Sequence, residues 1–488
     1  MPMVARSAGA LPKKMLVMQP PMHDVPGSGA NQTSLRDDLR RANQEALRLR
    51  SIGDLHGALA VLDTASEQSP PVAEIFSNRG FIAAELGDRE RARASYARAV
   101  DLDPHLLAAR LGYGAELYAV GDLEGARSQY RLALGLDEEN LVAHLAMYEL
   151  ELQLGNRAKA LAHQRRALAV RQLFSAIAPK ERRRVLAFCA PGDWFANTPV
   201  EYLVDRETTT LHKLFLTTPE KLAALQLPEY DALFNAIGES SENVEVLLLA
   251  ELVAKMLGRP ILNDPLRVLE TNRVRCARLA SHIAGCNAPE TVERMRQALQ
   301  GESIDQPTIV RPIDSHAGKG ARLVRSSAEL HAYLDETEGE RFFLTPWVDY
   351  ASPDGYFRKY RLVAVDGEIF PYHLAISSNW MVHYYSSEMK AKGWMRDEER
   401  RFLEDWRAVF PATAASALER LTESLALEYV GFDCSIDRDG KLLFFEADPA
   451  IIVHLTDDRE LFGYKYEHVP KIFRAFERLI ERQHARPA

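Results

Sequence analysis

The stretch from Gly431 to Pro449, GFDCSIDRDGKLLFFEADP, places five carboxylates among residues that otherwise read as a pair of buried strands. With Asp439-Gly440 as a two-residue hairpin turn, Arg438 faces Lys441, and counting back sets Asp433 directly opposite Glu446. Side chains two apart on a strand share a face, so Glu446 and Asp448 lie together, as do Asp433, Ser435 and Asp437. Carboxylates this close across strands repel one another, and burial raises their pKa values. A divalent cation relieves both penalties; Mg²⁺ typically takes one or two carboxylates while gathering nucleotide phosphates. Asp433, Glu446 and Asp448 are therefore candidate metal ligands, whereas Asp437 and Asp439, beside the turn, read as solvated turn residues.

A second constellation lies upstream. In TIVRPIDSHAGKGARLV, residues 308–324, a polar turn between two strands carries Gly318 and Gly320, which let backbone amides approach a phosphate, with Lys319 and Arg311 as charge partners. The spacing is not that of a P-loop, and a strand follows where a helix is required. Alone, the segment reads equally well as an ordinary hairpin. Next come FFLTPWVDY, a buried strand ending in polar residues, and YFRKYRLVAVDGEIFPYHLAIS, two strands hinged at Asp366-Gly367. Arg361 and His373 fall on these strands; Arg361 reads as a site cation or a surface charge, and His373 more readily as a satisfied core group. The tract SSNWMVHYYSSEMKAKGWM, residues 377–395, reads as a lid bearing Lys390 and Lys392, or as a surface packed on the other lobe.

Two kinds of element must position these residues. Before them, Gly53-Asp54, Gly87-Asp88, Gly121-Asp122 and Gly155-Asn156 recur every 34 residues, followed at constant offsets by Ala58, Ala92, Ala126 and Ala160, and then by Leu62, Tyr96, Tyr130 and Gln164. Glycine suits the turn after a first helix, and small alanines let paired helices approach. The pattern resembles the tetratricopeptide repeat over residues 35–171, which implies an all-α solenoid whose groove takes a peptide or protein. From residue 184, short apolar runs (VLAFC, LHKLFL, YDALFNAIGE, ILN) alternate with helical segments such as NVEVLLLAELVAKMLG, predicting an open parallel sheet flanked by helices over 184–270. Strands dominate thereafter.

Composition bounds the rest. The chain has 488 residues, 47% of them hydrophobic, and a net charge of −9, which argues against a general nucleic-acid or anionic-membrane binder. Its four cysteines, Cys189, Cys276, Cys286 and Cys434, show no ligand or disulfide spacing, so free thiols in the cytoplasm are expected. Residues 1–34 read as a disordered tail without a signal-peptide run, and no window is apolar enough to span a membrane.

Taken in order, residues 185–475 resemble the ATP-grasp superfamily, with an α/β domain ending in an NDPLRVLETNR loop, then a glycine loop, a hinge strand, an arginine strand and two acidic strands. The resemblance implies a multidomain chain: the repeat solenoid, an α/β pre-ATP-grasp domain and an α+β ATP-grasp domain over 271–480. It assigns Arg273, Arg311, Lys319, His316, Gly318 and Gly320 to the nucleotide phosphates. Pro346, Trp347 and Val348 go to adenine, Asp349 to the ribose, and Arg361 to the transferred phosphoryl group, so that Arg361, Arg311 and Lys319 carry catalysis. Asp433, Glu446 and Asp448 match its metal motif, with Asp448 where asparagine is usual, Arg311 where lysine is usual, and AIIVH in place of a proline-glycine turn. The implied activity is an ADP-releasing carboxylate–amine ligase using ATP with Mg²⁺ or Mn²⁺ through an acyl phosphate. Its expected partners are carboxylate and amine substrates, a peptide or protein in the repeat groove, and a second copy in a homodimer. The rival readings are a scaffold with a nucleotide-binding domain and a phosphotransferase acting on a small metabolite.

Overall fold

The computed structural model describes residues 30–484 except 69–70, 220–221, 223–224, 314, 316–317 and 385–386. The chain divides into two compact units, residues 1–171 and 172–488. Helix Ala30–Ser51 begins inside the segment expected as a tail, whose first 29 residues lie outside the described ones. The helix-forming run therefore reaches further upstream than the 34-residue period indicates.

The first unit holds eight helices among its described residues: Ala30–Ser51, Leu55–Ser66, Ala73–Leu86, Arg89–Leu102, Leu107–Val120, Leu123–Leu136, Leu141–Gln153 and Arg157–Val170. The recurring Gly-Asp dipeptide supplies both halves of each turn. Gly53, Gly87, Gly121 and Gly155 take left-handed φ values of 79° to 87°, at little steric cost. Asp54, Asp88 and Asp122 then cap the following helix by accepting from the amides of Gly57, Arg91 and Gly125. Asn156 makes no such cap and instead donates to Glu151 at 2.8 Å. The phased alanines are wholly buried, and Tyr96 and Tyr130 fill the space above Gly112 and Gly114, where a Cβ would collide with their rings.

The second unit contains three sheets among its described residues. The first has strand order β1-β3-β2-β4, from β1 (Leu173–Ala176), β2 (Arg183–Cys189), β3 (Thr209–Phe215) and β4 (Ala232–Asn235). β2, β3 and β4 are parallel as expected, but β1 adds an antiparallel edge upstream of residue 184. Of the expected strand ILN only Leu262 bridges to Phe234. Asn263 leaves the sheet with φ 56° and clasps Tyr429, donating to its carbonyl and accepting from its amide, both at 2.7 Å.

The second sheet runs β11-β10-β12-β13-β5, built from β5 (Cys286–Asn287), β10 (Phe357–Val365), β11 (Glu368–Ser377), β12 (Tyr429–Ile436) and β13 (Leu442–Asp448). The third runs β6-β9-β7-β8, from β6 (Val292–Met295), β7 (Thr308–Pro312), β8 (Arg322–Val324) and β9 (Arg341–Pro346). Asp366 and Gly367 both have positive φ and close the β10–β11 hairpin. All four cysteines are free. Among the described residues no helix is long and apolar enough to cross a membrane.

Candidate functional site

The acidic hairpin reaches its expected register by an unexpected route. Asp433 pairs with Glu446 and Gly431 with Asp448, but nearer the turn Cys434 pairs with Phe444 and Ile436 with Leu442. The turn has three residues, not two: Asp437 donates its amide to the Lys441 carbonyl, and Gly440 supplies a φ of 74°. A bulge at Phe445 then restores the count, so the two departures cancel at Asp433. Asp437 is buried rather than solvated, because its carboxylate builds the turn; it accepts from the amides of Asp439 and Lys441 and from Asn287.

Across the sheet, one row of side chains runs His373, Arg361, Asp433, Glu446 on four successive strands. Arg361 donates from Nε to Oδ1 of Asp433 at 2.6 Å and from Nη2 to Oδ2 at 2.8 Å. Lys359, two residues earlier on the same face of β10, brings Nζ within 2.7 Å of Oδ2. Burial opposes the charge on Asp433, which is 2% exposed, yet Arg361 and Lys359 hold its carboxyl well below the usual range. Helix Arg273–Ser281, capped by Asn272, starts with Arg273, whose guanidinium pairs with Glu446 and lowers its pKa against burial. Asp448 forms no ion pair among the described residues; burial and the charge of Glu446 push it up to about 6 against the attraction of Arg361.

These contacts revise the expected metal site. The carboxylate repulsion expected to require a divalent cation is relieved here by three side-chain cations, Arg273, Lys359 and Arg361. Both oxygens of Asp433 are engaged by Arg361 and Lys359, and Glu446 is held by Arg273. Among the described residues no group of three His, Cys, Asp or Glu side chains is arranged to hold a metal ion. In this arrangement Asp433, Glu446 and Asp448 do not fit a three-carboxylate Mg²⁺ site.

Arg311 arrives from β7, in the third sheet. Its Nε and Nη2 donate to the Ser315 hydroxyl at 3.1 and 3.0 Å, and Nη2 also donates to the Ser315 carbonyl. No carboxylate among the described residues forms an ion pair with it. Burial and the like charge of Arg273 lower its pKa to about 9, which leaves it cationic at neutral pH. Gly318 and Gly320 both adopt left-handed φ, and a Cβ at Gly320 would stand 2.9 Å from Pro312. Lys319 is exposed, and His316 lies outside the described residues.

The hinge residues are placed less favourably. Pro346 ends β9 and Val348 is half-buried, while Trp347 packs its ring against Trp380, Tyr350 and Phe357 and donates its amide to the Pro307 carbonyl at 2.8 Å. Asp349, the expected ribose partner, is engaged by Arg438 at 2.5 Å in an exposed ion pair.

Two features escaped the sequence reading. Lys359 was legible as the same-face neighbour of Arg361 in KYR. The other had no local signal: Lys465, 2% exposed, donates to the Tyr384 hydroxyl at 2.5 Å and to Asp457 at 3.3 Å, and lies 3.5 Å from the buried Glu399. Tyr464 donates to Glu399 at 2.5 Å. This network abuts the site row, because the Tyr384 ring lies 4.6 Å from that of His373. His373 is buried with Nδ1 unpartnered among the described residues, and burial followed by the Arg361 charge holds its pKa well below the usual histidine value.

Residues 73–106 match the Tetratricopeptide repeat family, and the N-terminal unit is such an array. No curated protein matches the sequence. Among solved structures, the D-Ala:D-Ser ligase VanG of Enterococcus faecalis is 11% identical, with a TM-score of 0.37, over 60% of this chain and 99% of its own. A MamA RS-1 double mutant is 18% identical, with a TM-score of 0.26, over 28% of this chain and 76% of its own. A second MamA structure gives 18% and 0.25 over 26% and 74%.

Proposed function

We propose that this protein is an ATP-dependent carboxylate–amine ligase of the ATP-grasp type, acting on a peptide or protein that the repeat unit recruits. Arg311 carries the reading. It is a half-buried guanidinium that forms no ion pair with a carboxylate among the described residues and feels the like charge of a second arginine, Arg273, which is a costly arrangement unless an anion joins it. A triphosphate supplies that anion, and Gly318 and Gly320 have the backbone freedom to admit its oxygens.

In this reading ATP is a substrate, and the chain contributes placement and charge. Arg311, Arg273 and the exposed Lys319 hold the phosphates, while Arg361, fixed in orientation by Asp433, faces the transferred phosphoryl group. A substrate carboxylate oxygen forms the new bond to γ-phosphorus as the bond to the β,γ-bridging oxygen breaks, releasing ADP. The amine then attacks the acyl carbon; phosphate leaves with the bonding electrons, and the amine gives up a proton. No step is assigned to a divalent cation, since the carboxylates expected to hold it are engaged by Arg273, Lys359 and Arg361.

That same engagement favours a second reading, a nucleotide-binding scaffold without catalysis. Incubation with ATP, divalent cation and candidate carboxylate and amine peptides separates the two. The ligase yields ADP and a product mass equal to both substrates less one water. Nucleotide binding without ADP release supports the scaffold, and release of AMP overturns the acyl-phosphate route.

A further inference from the structure

Helix Val244–Leu257 is apolar almost all round, VEVLLLAELVAKML, a pattern belonging to helices covered on more than one side. One face is covered within the unit, where Leu247, Ala250 and Ala254 are buried. The opposite side is not. Val244, Leu248, Leu252 and Met256, spaced four apart, form one ridge and are 38%, 51%, 52% and 76% exposed. A continuous row of four large apolar side chains is more than the scatter ordinary for a monomer surface.

The charges at the two ends select what covers it. The exposed Glu245 lies at the N-terminal end and the exposed Lys255 at the C-terminal end, where, among the described residues, Lys255 forms an ion pair only with Glu251 of its own helix, at 2.8 Å. A second copy laid antiparallel brings acidic end to basic end and opposes the helix dipoles favourably, whereas a parallel copy sets like ends together. The spacing is self-complementary in that orientation: with a two-fold axis at the level of Ala250, Val244 meets Met256 of the second copy and Leu248 meets Leu252.

We propose that this helix is the interface of a homodimer, in which two copies pair their Val244–Met256 ridges antiparallel. The proposal is independent of the reaction assigned above, since it uses none of the residues of that site.

Light scattering on the full chain after size-exclusion chromatography is expected to give twice the chain mass. The double variant Leu248→Glu/Leu252→Glu is expected to give a single-chain mass with unchanged far-UV circular dichroism, because both side chains are exposed in the monomer. For orientation, Val244→Cys and Met256→Cys chains are mixed and oxidised. The antiparallel pair links Val244→Cys to Met256→Cys and leaves Val244→Cys alone unlinked, since its two copies stand about 18 Å apart along the axis. A monomer at every concentration overturns the proposal, as does a dimer that survives the double glutamate variant. Self-linking of Val244→Cys also overturns it.

Discussion

Arg361 grips Asp433 across adjacent strands through two parallel hydrogen bonds, Nε to Oδ1 at 2.6 Å and Nη2 to Oδ2 at 2.8 Å. Lys359 closes on the same carboxylate at 2.7 Å, so one buried acid serves two cations. Asp433→Asn leaves both cations without their counter-charge, and breaking a buried pair from one side costs about 3–5 kcal/mol. The unfolding midpoint of the second unit in urea is expected to fall accordingly. Arg361→Lys keeps the charge but loses the fork, so it is expected to retain more stability than Asp433→Asn while losing ADP release.

Arg311 gives the opposite sign. Removing a half-buried cation that feels the like charge of Arg273 and has no carboxylate partner among the described residues relieves the ATP-free protein, so Arg311→Met is expected to melt at or above the parent temperature. ATP affinity is expected to drop about 10–100-fold, the effect of losing a charged hydrogen bond of about 1.5–3 kcal/mol. Thermal shift without nucleotide and calorimetry with ATP read the two effects separately. Lys319→Ala, at an exposed position, is expected to weaken ATP by only a few-fold.

Lys465 ties Tyr384 to Glu399 and Asp457 in the interior. Lys465→Met is expected to destabilise the unit and to speed amide exchange around Tyr384, measured by hydrogen–deuterium exchange. The double variant Lys465→Met/Glu399→Gln is expected to recover part of the loss, because no unpaired charge is then left buried.

The repeat unit carries its own pH dependence. His144 Nε2 donates to the Glu138 carbonyl at 2.9 Å, and its Nδ1 lies 2.9 Å from Nδ1 of His163. Burial, then His144, lowers the His163 pKa below its ordinary 6.5. The unfolded chain therefore binds a proton more readily than the folded one. This contribution to stability is complete above pH 6.5 and falls as acid is added through the folded pKa, by at most about 1.4 kcal/mol per pH unit. Thermal unfolding between about pH 7.5 and 5 is expected to show that slope, and His163→Gln to flatten it.

What the sequence by itself determined is whatever rests on short-range geometry. A glycine that must take a left-handed turn and an aspartate that caps the next helix recur together, so the repeat is legible as a 34-residue period. The Asp366-Gly367 turn and the pairing of Asp433 with Glu446 follow from turn residues and two-residue alternation, although the latter count was right because a three-residue turn and a bulge offset each other. Only the tertiary structure decided which charges meet. Arg273 comes from a helix, Arg311 from one sheet, Lys359 and Arg361 from another, and Lys465 from a segment with no motif, and no periodicity records such encounters. Repulsion among the acids could therefore be foreseen from their spacing, but the groups that relieve it could not, because they are brought there by packing between elements far apart in the chain.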